Sequence, residues 1–373
     1  MKTQNRLFGL SLAFLLLAGL TLAGAPAFAQ GAQKGGLDET GPYDVVVGWF
    51  KPGIERWDQP VIAVAVENPN RIFIGNADQT ATQANAPMLG ADGVVLKERS
   101  TTSTKPRAEK THVHQIMVLN GDGKVIEDWK QWDELIVIPH NIEIDPYDPE
   151  RHLWVVDRDG QQILKFTNDG KKLVLKLGEK GVTGTDQNHF NRPAGLAFMP
   201  DGSFYLADGY TNSRIVKFDK NGKYLLEWGT KGSGPGQFNL VHSVSIDEQK
   251  RIYASDRNNN RVQIFDENGK FLEEWPNVRS PTRLVVTEDK SLWLAAAAGY
   301  NRIAKFDLNG KLLTYWGTTG DAPGAMDNPH AFALDQNGAL YIADAWNNRL
   351  QKFVPKPGAD KARLIAKEFR FKK

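Results

Sequence analysis

The sequence predicts an all-β protein, a six-bladed β-propeller with four strands in each blade. A unit of four alternating apolar runs recurs along the chain, for example from Ala194 and again from His242. Asn-Gly pairs such as Asn268-Gly269 separate the runs and are typical of tight hairpin turns. No segment keeps the 3.6-residue period of a helix, so we expect little helix.

The composition excludes several classes of function. The chain of 373 residues has no cysteine, which excludes disulfides, thiolate nucleophiles and cysteine-bound metals. Its 46 Lys and Arg residues nearly balance its 44 Asp and Glu residues. This near-neutrality argues against a nucleic-acid partner, because binding phosphates needs an excess of basic residues. Any metal must therefore be bound by histidine, carboxylate or backbone oxygen.

Residues 1–29 have the pattern of a secretory signal peptide. Two basic residues precede an apolar run, and Ala27-Phe28-Ala29 supplies the small residues of a cleavage site. We expect cleavage before Gln30, no membrane anchor afterwards, and a secreted or periplasmic protein. The Gly-containing residues 30–42 predict a short flexible lead-in to the propeller.

Six repeats define the blades of a propeller over residues 43–373. The first residues of their innermost strands align as Val61, His140, Ala194, His242, Thr282 and His330. Six such units close into a ring that leaves few free strand edges. We expect residues 43–50, which precede the first unit, to complete the last blade. An insertion between Asn76 and Thr111 lengthens the first blade and could act as a lid.

An aspartate and an arginine recur at one place in several blades. The pairs, Asp208 with Arg214, Asp256 with Arg261, and Asp344 with Arg349, lie in segments that resemble NHL repeats. They occur whether or not the blade has a histidine at the start of its first strand. We therefore predict a structural role, in which buried charge-assisted hydrogen bonds tie the blades together.

Histidines begin the innermost strand in alternate blades, at His140, His242 and His330. Alternate blades of a six-bladed ring are a third of a turn apart, so the three side chains should converge on the central channel. Three imidazoles with an open fourth position are typical of catalytic zinc, although other divalent transition metals also fit. A single histidine there is usually a core residue, but three in register favour a metal site.

The remaining histidines are weaker candidates. His112 and His114 share one face if they lie on a strand, but they lack a third partner in register, and a solvated strand face is the simpler interpretation. His152 is expected in a turn, and His189 aligns with Gln237 of the next repeat. Neither is predicted to bind a metal.

The loops after the second strands should lie beside the three histidines, because neighbouring strands are antiparallel. These loops carry Arg158 in the second blade, Tyr210 in the third and Arg257 in the fourth. All three side chains could face a metal on the axis. Alternatively, Tyr210 covers the mouth of the channel and Arg257 donates to an ion pair between blades.

The histidine contexts and two of these loops resemble the peptidyl-α-hydroxyglycine α-amidating lyases. The contexts are IPHNIEID, LVHSVSID and NPHAFALD, and the loops contain DGYTNSRIVKF and SDRNNNRVQIF. The resemblance covers the processed chain and is strongest from Pro139 to Phe353.

The resemblance implies an enzyme, a zinc-dependent carbon–nitrogen lyase. It implies that the three registered histidines bind zinc and that Tyr210 removes the proton of a substrate hydroxyl. It also implies that Arg257 helps to hold the substrate carboxylate and to stabilise the charge that develops. The implied reaction cleaves the N–Cα bond of a C-terminal α-hydroxyglycine and gives a peptide amide and glyoxylate. The expected partner is a small molecule or peptide that carries a carboxylate.

The sequence departs from this family in three ways. The family has an arginine after the second strand of the first blade, where this chain has Asn76. Either another arginine replaces it, namely Arg158 or one in the insertion such as Arg99 or Arg107, or the chemistry differs. If Arg158 does not replace it, Arg158 has a structural role or faces solvent. Ala331 stands where the family has a calcium-binding aspartate, so we do not expect a structural calcium. The family's disulfides are absent.

Two other functions fit the same fold. A non-catalytic NHL propeller would bind a peptide, a glycan or a protein partner, but it leaves the histidines and Tyr210 without a common purpose. A lactonase-like hydrolase would hold calcium with carboxylates and amides, whereas the registered positions here are His, Val, Ala and Thr.

Overall fold

The computed structural model describes residues 39–55, 57–77, 88–89, 92–93, 95–97 and 114–372. Within these ranges the chain forms six four-stranded sheets, and the innermost strands of successive sheets contact one another around a closed ring. The predicted all-β, six-bladed propeller is therefore confirmed. The predicted signal peptide and most of the lead-in lie outside the described residues, as do Arg99, Arg107 and His112.

The strands of the first half of the ring follow one another in chain order. β1 spans Tyr43–Val45. The first blade contains β2 (Val61–Asn68), β3 (Arg71–Asn76), β6 (Ile116–Leu119) and β7 (Val125–Asp128), and its insertion carries the pair β4 (Met88–Leu89) and β5 (Val95–Lys97). The second blade contains β8 (Pro139–Ile144), β9 (Leu153–Asp157), β10 (Gln162–Phe166) and β11 (Leu173–Gly178). The third contains β12 (Gly195–Phe198), β13 (Phe204–Asp208), β14 (Arg214–Phe218) and β15 (Tyr224–Trp228).

The second half repeats this arrangement. A short parallel pair, β16 (Thr230–Lys231) and β17 (Gln237–Phe238), leads into the fourth blade, which contains β18 (Val241–Ile246), β19 (Ile252–Asp256), β20 (Arg261–Phe265) and β21 (Phe271–Pro276). The fifth contains β22 (Pro281–Thr287), β23 (Ser291–Ala296), β24 (Arg302–Asp307) and β25 (Leu312–Trp316). The sixth contains β26 (Pro329–Leu334), β27 (Leu340–Asp344) and β28 (Arg349–Pro355).

Helix is scarce, as the sequence predicts. In the described part of the chain the helices are 3₁₀ turns at Lys130–Trp132, Arg257–Asn259, Ala345–Asn347 and Lys361–Arg363. None of the described helices has the length and apolar character needed to cross a bilayer.

The two ends of the propeller meet in the sixth blade. β1 supplies its fourth strand, with Tyr43 opposite Pro355 and Val45 opposite Phe353 on β28. The prediction that the first segment completes the last blade is confirmed, although the strand ends at Val45. The ring is therefore closed by hydrogen bonds between the start and the end of the chain.

Hairpin glycines of one blade pack against tryptophans of the blade before it. Gly269, in the fourth blade, has a φ of +84°, and a Cβ atom there would lie 2.6 Å from the ring of Trp228 in the third. Gly310 of the fifth blade and Trp275 of the fourth repeat this contact. The Asn-Gly turns therefore serve both the hairpin and the packing between blades.

The recurring aspartates and arginines are structural, as predicted. Asp208 is fully buried and accepts from Nε of Arg214 at 2.9 Å. The same guanidinium donates to backbone carbonyls of the loop that precedes β12, at Thr185, Asp186 and His189. The pair thus fastens each blade to the connection from its predecessor.

A β-bulge near the start of the innermost strand corrects the alignment of the first blade. In β2 the pairing passes from Val61 to Ala63 and skips Ile62, just as in β8 it passes from Pro139 to Asn141 and skips His140. The equivalent of His140 is therefore Ile62, and the predicted Val61 was wrong by one residue. A continuous apolar run gave no signal that could set this register.

The C-terminal segment covers one end of the channel. The N–H of Phe369 donates to the carbonyl of Val286 at the end of β22, and the N–H of Phe371 donates to the Tyr147 hydroxyl beyond β8. The histidines lie at the opposite, starting ends of the innermost strands. The two ends of the channel therefore differ in what lines them.

Candidate active site

The three predicted metal ligands converge on the channel. His140, His242 and His330 occupy the bulges of β8, β18 and β26, and a bulge re-aims the side chain that it carries. Their ring nitrogens lie within 4.8 Å of one another, and all three side chains are buried. The structure thus joins residues from alternate blades in one cluster.

The next blade fixes the orientation of each imidazole. Nδ1 lies 2.8 Å from the carbonyl oxygen of Ala194 in His140, 2.8 Å from that of Thr282 in His242, and 2.7 Å from that of Ile62 in His330. A carbonyl oxygen only accepts, so Nδ1 carries the proton. Each Nε2 therefore directs a lone pair toward the axis, as metal-binding histidines do.

Burial keeps the three imidazoles neutral. It is the main reason that the pKa values of His140 and His242 lie well below the usual range, and nearby positive charges act in the same direction. Burial also lowers the pKa of His330 to about 3, with the charge of Arg257 contributing. The lone pairs are therefore available at neutral pH without competition from protons.

This set of donors fits a metal ion. Three neutral Nε2 atoms from a rigid scaffold suit zinc or another divalent transition metal, with coordination positions left for substrate. The phenolic oxygen of Tyr210 lies 2.9 Å from Nε2 of His140 and 3.0 Å from Nε2 of His242. One hydroxyl hydrogen can satisfy only one of these lone pairs, whereas a cation would satisfy all three.

Gly209 places Tyr210 against the histidines. A Cβ atom on Gly209 would lie 1.6 Å from the carbonyl oxygen of Val241, the residue before His242. Only glycine allows the loop after β13 to approach the fourth blade so closely. The Asp-Gly-Tyr sequence therefore brings the phenol to the cluster.

Arg257 and Arg158 both reach Tyr210, as the position of their loops predicts. Nη1 of Arg257 lies 3.4 Å from the Tyr210 oxygen, and within the described ranges Arg257 forms no ion pair. The guanidinium carbon of Arg158 lies 5.2 Å from the centre of the Tyr210 ring. The Arg158 side chain is 17% exposed and pairs with Asp159, so of its two alternative interpretations the structural one fits better than the solvent-facing one.

Two residues that lie near Tyr210 were not predicted from the sequence to be part of the site. Arg192 lies 5.2 Å from the Tyr210 ring centre, and Asp159 accepts from both Arg158 and Arg192. Arg192 follows Phe190-Asn191 where Leu240 follows Phe238-Asn239 in the next repeat, so the repeat gives the position of Arg192 but does not single out an arginine. A signal was nevertheless present, because a loop that leads into an innermost strand must lie on the face of the histidines.

The other described histidines are engaged elsewhere. His114 precedes β6 and contacts Asp128 at 2.6 Å, so it does not lie on the strand face that we considered. His152 is buried between Asp148 and Glu150, and His189 pairs with Asp186 at the surface.

In the described part of the insertion, Leu89 pairs with Trp57 in a β-bridge. The role of the insertion as a lid stays a prediction.

Family models match two parts of the chain. Residues 183–278 match a model described as a 6-bladed beta-propeller, and residues 326–353 match the NHL repeat. The protein is a six-bladed propeller, and its last blade matches the NHL repeat. Both matched segments lie within the blades of the structure.

Curated relatives of this NHL propeller include amidating lyases. It is 35% identical over 139 residues to a probable peptidyl-alpha-hydroxyglycine alpha-amidating lyase of Caenorhabditis elegans, covering 37% of this chain and 38% of the relative. It is 38% identical over 118 residues to the peptidyl-glycine alpha-amidating monooxygenase of Mus musculus, covering 30% and 12%. The resemblance is confirmed over about a third of the chain.

Another relative aligns with more of the NHL propeller. NHL repeat-containing protein 3 of Homo sapiens is 28% identical over 259 residues, covering 65% of this chain and 74% of the relative. The alignments with amidating lyases span well under half of those proteins. The activity is therefore a matter for proposal and experiment.

Proposed function

We propose that this NHL propeller is an exported, zinc-dependent carbon–nitrogen lyase. It cleaves the N–Cα bond of a C-terminal α-hydroxyglycine and gives a peptide amide and glyoxylate. One observation carries the proposal: three buried, neutral histidines direct Nε2 atoms at one point, and the Tyr210 oxygen lies within 3.0 Å of two of them. The relatives named as amidating lyases support this substrate class.

His140, His242 and His330 would hold the metal, which when bound supplies a Lewis acid that lowers the pKa of a substrate hydroxyl. The Tyr210 oxygen, beside two of the histidines, is placed to accept the hydroxyl proton. The C–O bond then becomes the C=O bond of glyoxylate, the C–N bond breaks with its electron pair on the amide nitrogen, and Tyr210 returns the proton to that nitrogen. Arg257, beside the Tyr210 oxygen, stabilises negative charge during this step.

The second candidate is a non-catalytic propeller that binds a peptide, glycan or protein. The longest of these alignments is with NHL repeat-containing protein 3, whose name states a repeat and no activity. A function in binding alone gives no reason for the position of the Tyr210 hydroxyl between His140 and His242, whose Nε2 atoms face the same point. A metal bound without turnover would favour this candidate.

The deciding experiment combines metal analysis with an assay of glyoxylate release from α-hydroxyhippurate. We expect one equivalent of zinc per chain and stoichiometric release of benzamide and glyoxylate. Tyr210→Phe should keep the metal and lose roughly 100-fold or more in kcat, the usual contribution of an acid–base group. A Phe variant with wild-type turnover would remove Tyr210 from the mechanism. Protein without transition metal and without glyoxylate release would end the proposal.

A further inference from the structure

We propose that Arg158 and Arg192, held by Asp159, form the binding site for the substrate carboxylate. The amidating-lyase resemblance implies that Arg257 helps to hold this carboxylate; Arg257 lies at the Tyr210 hydroxyl, and we assign the carboxylate to the other two arginines. The inference rests on the proposed function for the chemical class of the ligand, an N-acylated amino acid with a free carboxylate.

The arrangement of charges around Tyr210 supports this site. Asp159 accepts from Nε and Nη2 of Arg158 at 2.9 and 3.1 Å, and from Nε of Arg192 at 3.1 Å. One carboxylate thus faces two guanidinium groups, so a net positive charge is left for a ligand. Both guanidinium carbons lie 5.2 Å from the Tyr210 ring centre. A carboxylate that joins them would complete the charge balance.

The exposure of the two side chains suits a ligand that arrives from solvent. Arg158 is 17% exposed and Arg192 is 42% exposed, so the pair spans from the buried site to the surface. The partly buried end strengthens an ion pair relative to one in water. A peptide C-terminus could therefore approach along Arg192 and be held at Arg158.

The backbone holds Arg192 in a costly conformation. Its φ is +60°, in the left-handed region that L-residues other than glycine rarely adopt. Its N–H donates to Oε1 of Gln161 at 2.6 Å, and its carbonyl accepts from the N–H of Tyr210 at 3.2 Å. These bonds fix Arg192 to the second blade and to the tyrosine loop. The same left-handed backbone recurs at Leu240, Ser280 and Asn328, which precede other innermost strands. The repeat itself therefore fixes where the Arg192 side chain begins.

A C-terminal α-hydroxyglycine carries its hydroxyl and its carboxylate on one carbon. With the hydroxyl at the histidines and the Tyr210 oxygen, the carboxylate must lie within a few bond lengths. Arg257 and Arg158 both interact with the Tyr210 hydroxyl, and Arg158 and Arg192 also lie over its ring. Arg158 thus connects the hydroxyl end of the site with Arg192, and the pair can hold the carboxylate beside the reacting carbon.

The test measures binding of hippurate, which has the acyl group and carboxylate but lacks the hydroxyl, to the full metal-loaded protein by calorimetry. Hippuramide, without the charge, is the matched ligand. We compare wild type with Arg192→Gln and with Arg251→Gln. Arg251 pairs with Asp247 at 2.7 Å and lies 5.5 Å from the Tyr253 ring at the opposite end of a blade, so it is a matched control.

Wild type and Arg251→Gln should bind hippurate about equally and hippuramide at least tenfold more weakly. Arg192→Gln should bind hippurate about tenfold more weakly and hippuramide unchanged, the loss expected for one charge-assisted hydrogen bond. Arg192→Lys should recover part of the affinity. Equal hippurate affinity in wild type and Arg192→Gln, or no preference for hippurate over hippuramide, would overturn the inference. Hippurate binding with this pattern but no glyoxylate release would defeat the lyase proposal alone.

Discussion

Hydrogen bonds between blades decide which nitrogen of each histidine faces the channel. Because Nδ1 is committed to a carbonyl of the following blade, the ring cannot flip without leaving a buried acceptor unsatisfied. The residues that accept, Ile62, Ala194 and Thr282, contribute only backbone atoms. The side chains of Ile62 and Ala194 can therefore vary while the orientation of the ligands stays fixed, whereas Oγ1 of Thr282 also donates to the carbonyl of Pro329, the residue before His330.

Replacing one ligand should abolish metal binding. His242→Ala removes one of three nitrogens, and we expect a loss in zinc affinity of more than about 100-fold, above the usual effect of second-sphere changes. His189→Ala is the matched control, since His189 is at the surface and pairs only with Asp186 in the structure described. Metal content after dialysis against a weak chelator measures the effect. Full occupancy in His242→Ala would contradict the proposed site.

The neutral histidines predict how the metal-free protein responds to acid. Unfolded histidines bind protons below a pKa of about 6.5, whereas the folded ones do so only at much lower pH, about 3 for His330. The unfolded state therefore binds more protons as pH falls from 6.5, and stability falls with it. Each histidine contributes up to about 1.4 kcal/mol per pH unit.

Urea unfolding between pH 6.5 and 5 checks this prediction, because ordinary carboxylates change little in that range. His330→Gln removes one of the three groups, so its free energy of unfolding should fall less steeply with acid than that of wild type. Equal slopes for the two proteins would show that His330 is protonated in the folded state.

Among the elements, the hairpin turn is where sequence and packing meet most directly. The Asn-Gly turns of the fourth and fifth blades are set by local chemistry, yet their glycines, Gly269 and Gly310, also accommodate a tryptophan from the neighbouring blade. The repeat therefore specifies contacts between blades as well as strands within them. This explains why a tryptophan recurs at the end of the fourth run.

Gly269→Ala should destabilise the protein by more than Gly181→Ala. Both glycines have positive φ, +84° and +76°, so alanine costs each about 1–2 kcal/mol in backbone strain. A Cβ at Gly269 would also meet the Trp228 ring at 2.6 Å, whereas one at Gly181 would meet nothing within 4 Å. The clash should add about 1–3 kcal/mol, measured as the difference in free energy of unfolding. Equal costs would mean that the tryptophan moves freely.

The repeat pattern predicted every blade, the closing strand and the three converging histidines, because each depends on a periodic signal. Single residues whose identity does not recur in the repeat were not predictable in the same way. The bulge at Ile62 lies in a uniformly apolar strand, so its register depends on pairing with β3. Arg192 lies in a connecting loop, and its contact with Tyr210 depends on how two blades approach each other.

In the whole molecule, the channel has two chemically different ends. The histidines lie at one end, and Arg283 forms a buried ion pair with Glu143 toward the other. Asn141 donates to the same Glu143 carboxylate from the layer just below His140. Removing one partner of a buried ion pair typically lowers the free energy of unfolding by about 3–5 kcal/mol. Keeping both partners away from water therefore matters for stability. The C-terminal segment covers the pair.

Truncation after Ala366 should therefore destabilise the propeller without affecting the metal site. The deletion removes the backbone bonds of Phe369 and Phe371 and two half-buried rings, a loss of roughly 2–4 kcal/mol in the free energy of unfolding. The histidines lie about four residues up the innermost strands, roughly 13 Å away, so zinc stoichiometry should be unchanged. A variant lacking only the last two residues is the control and should match wild type in urea unfolding. Zinc loss in the longer truncation would show that the two ends of the channel are coupled through its strands.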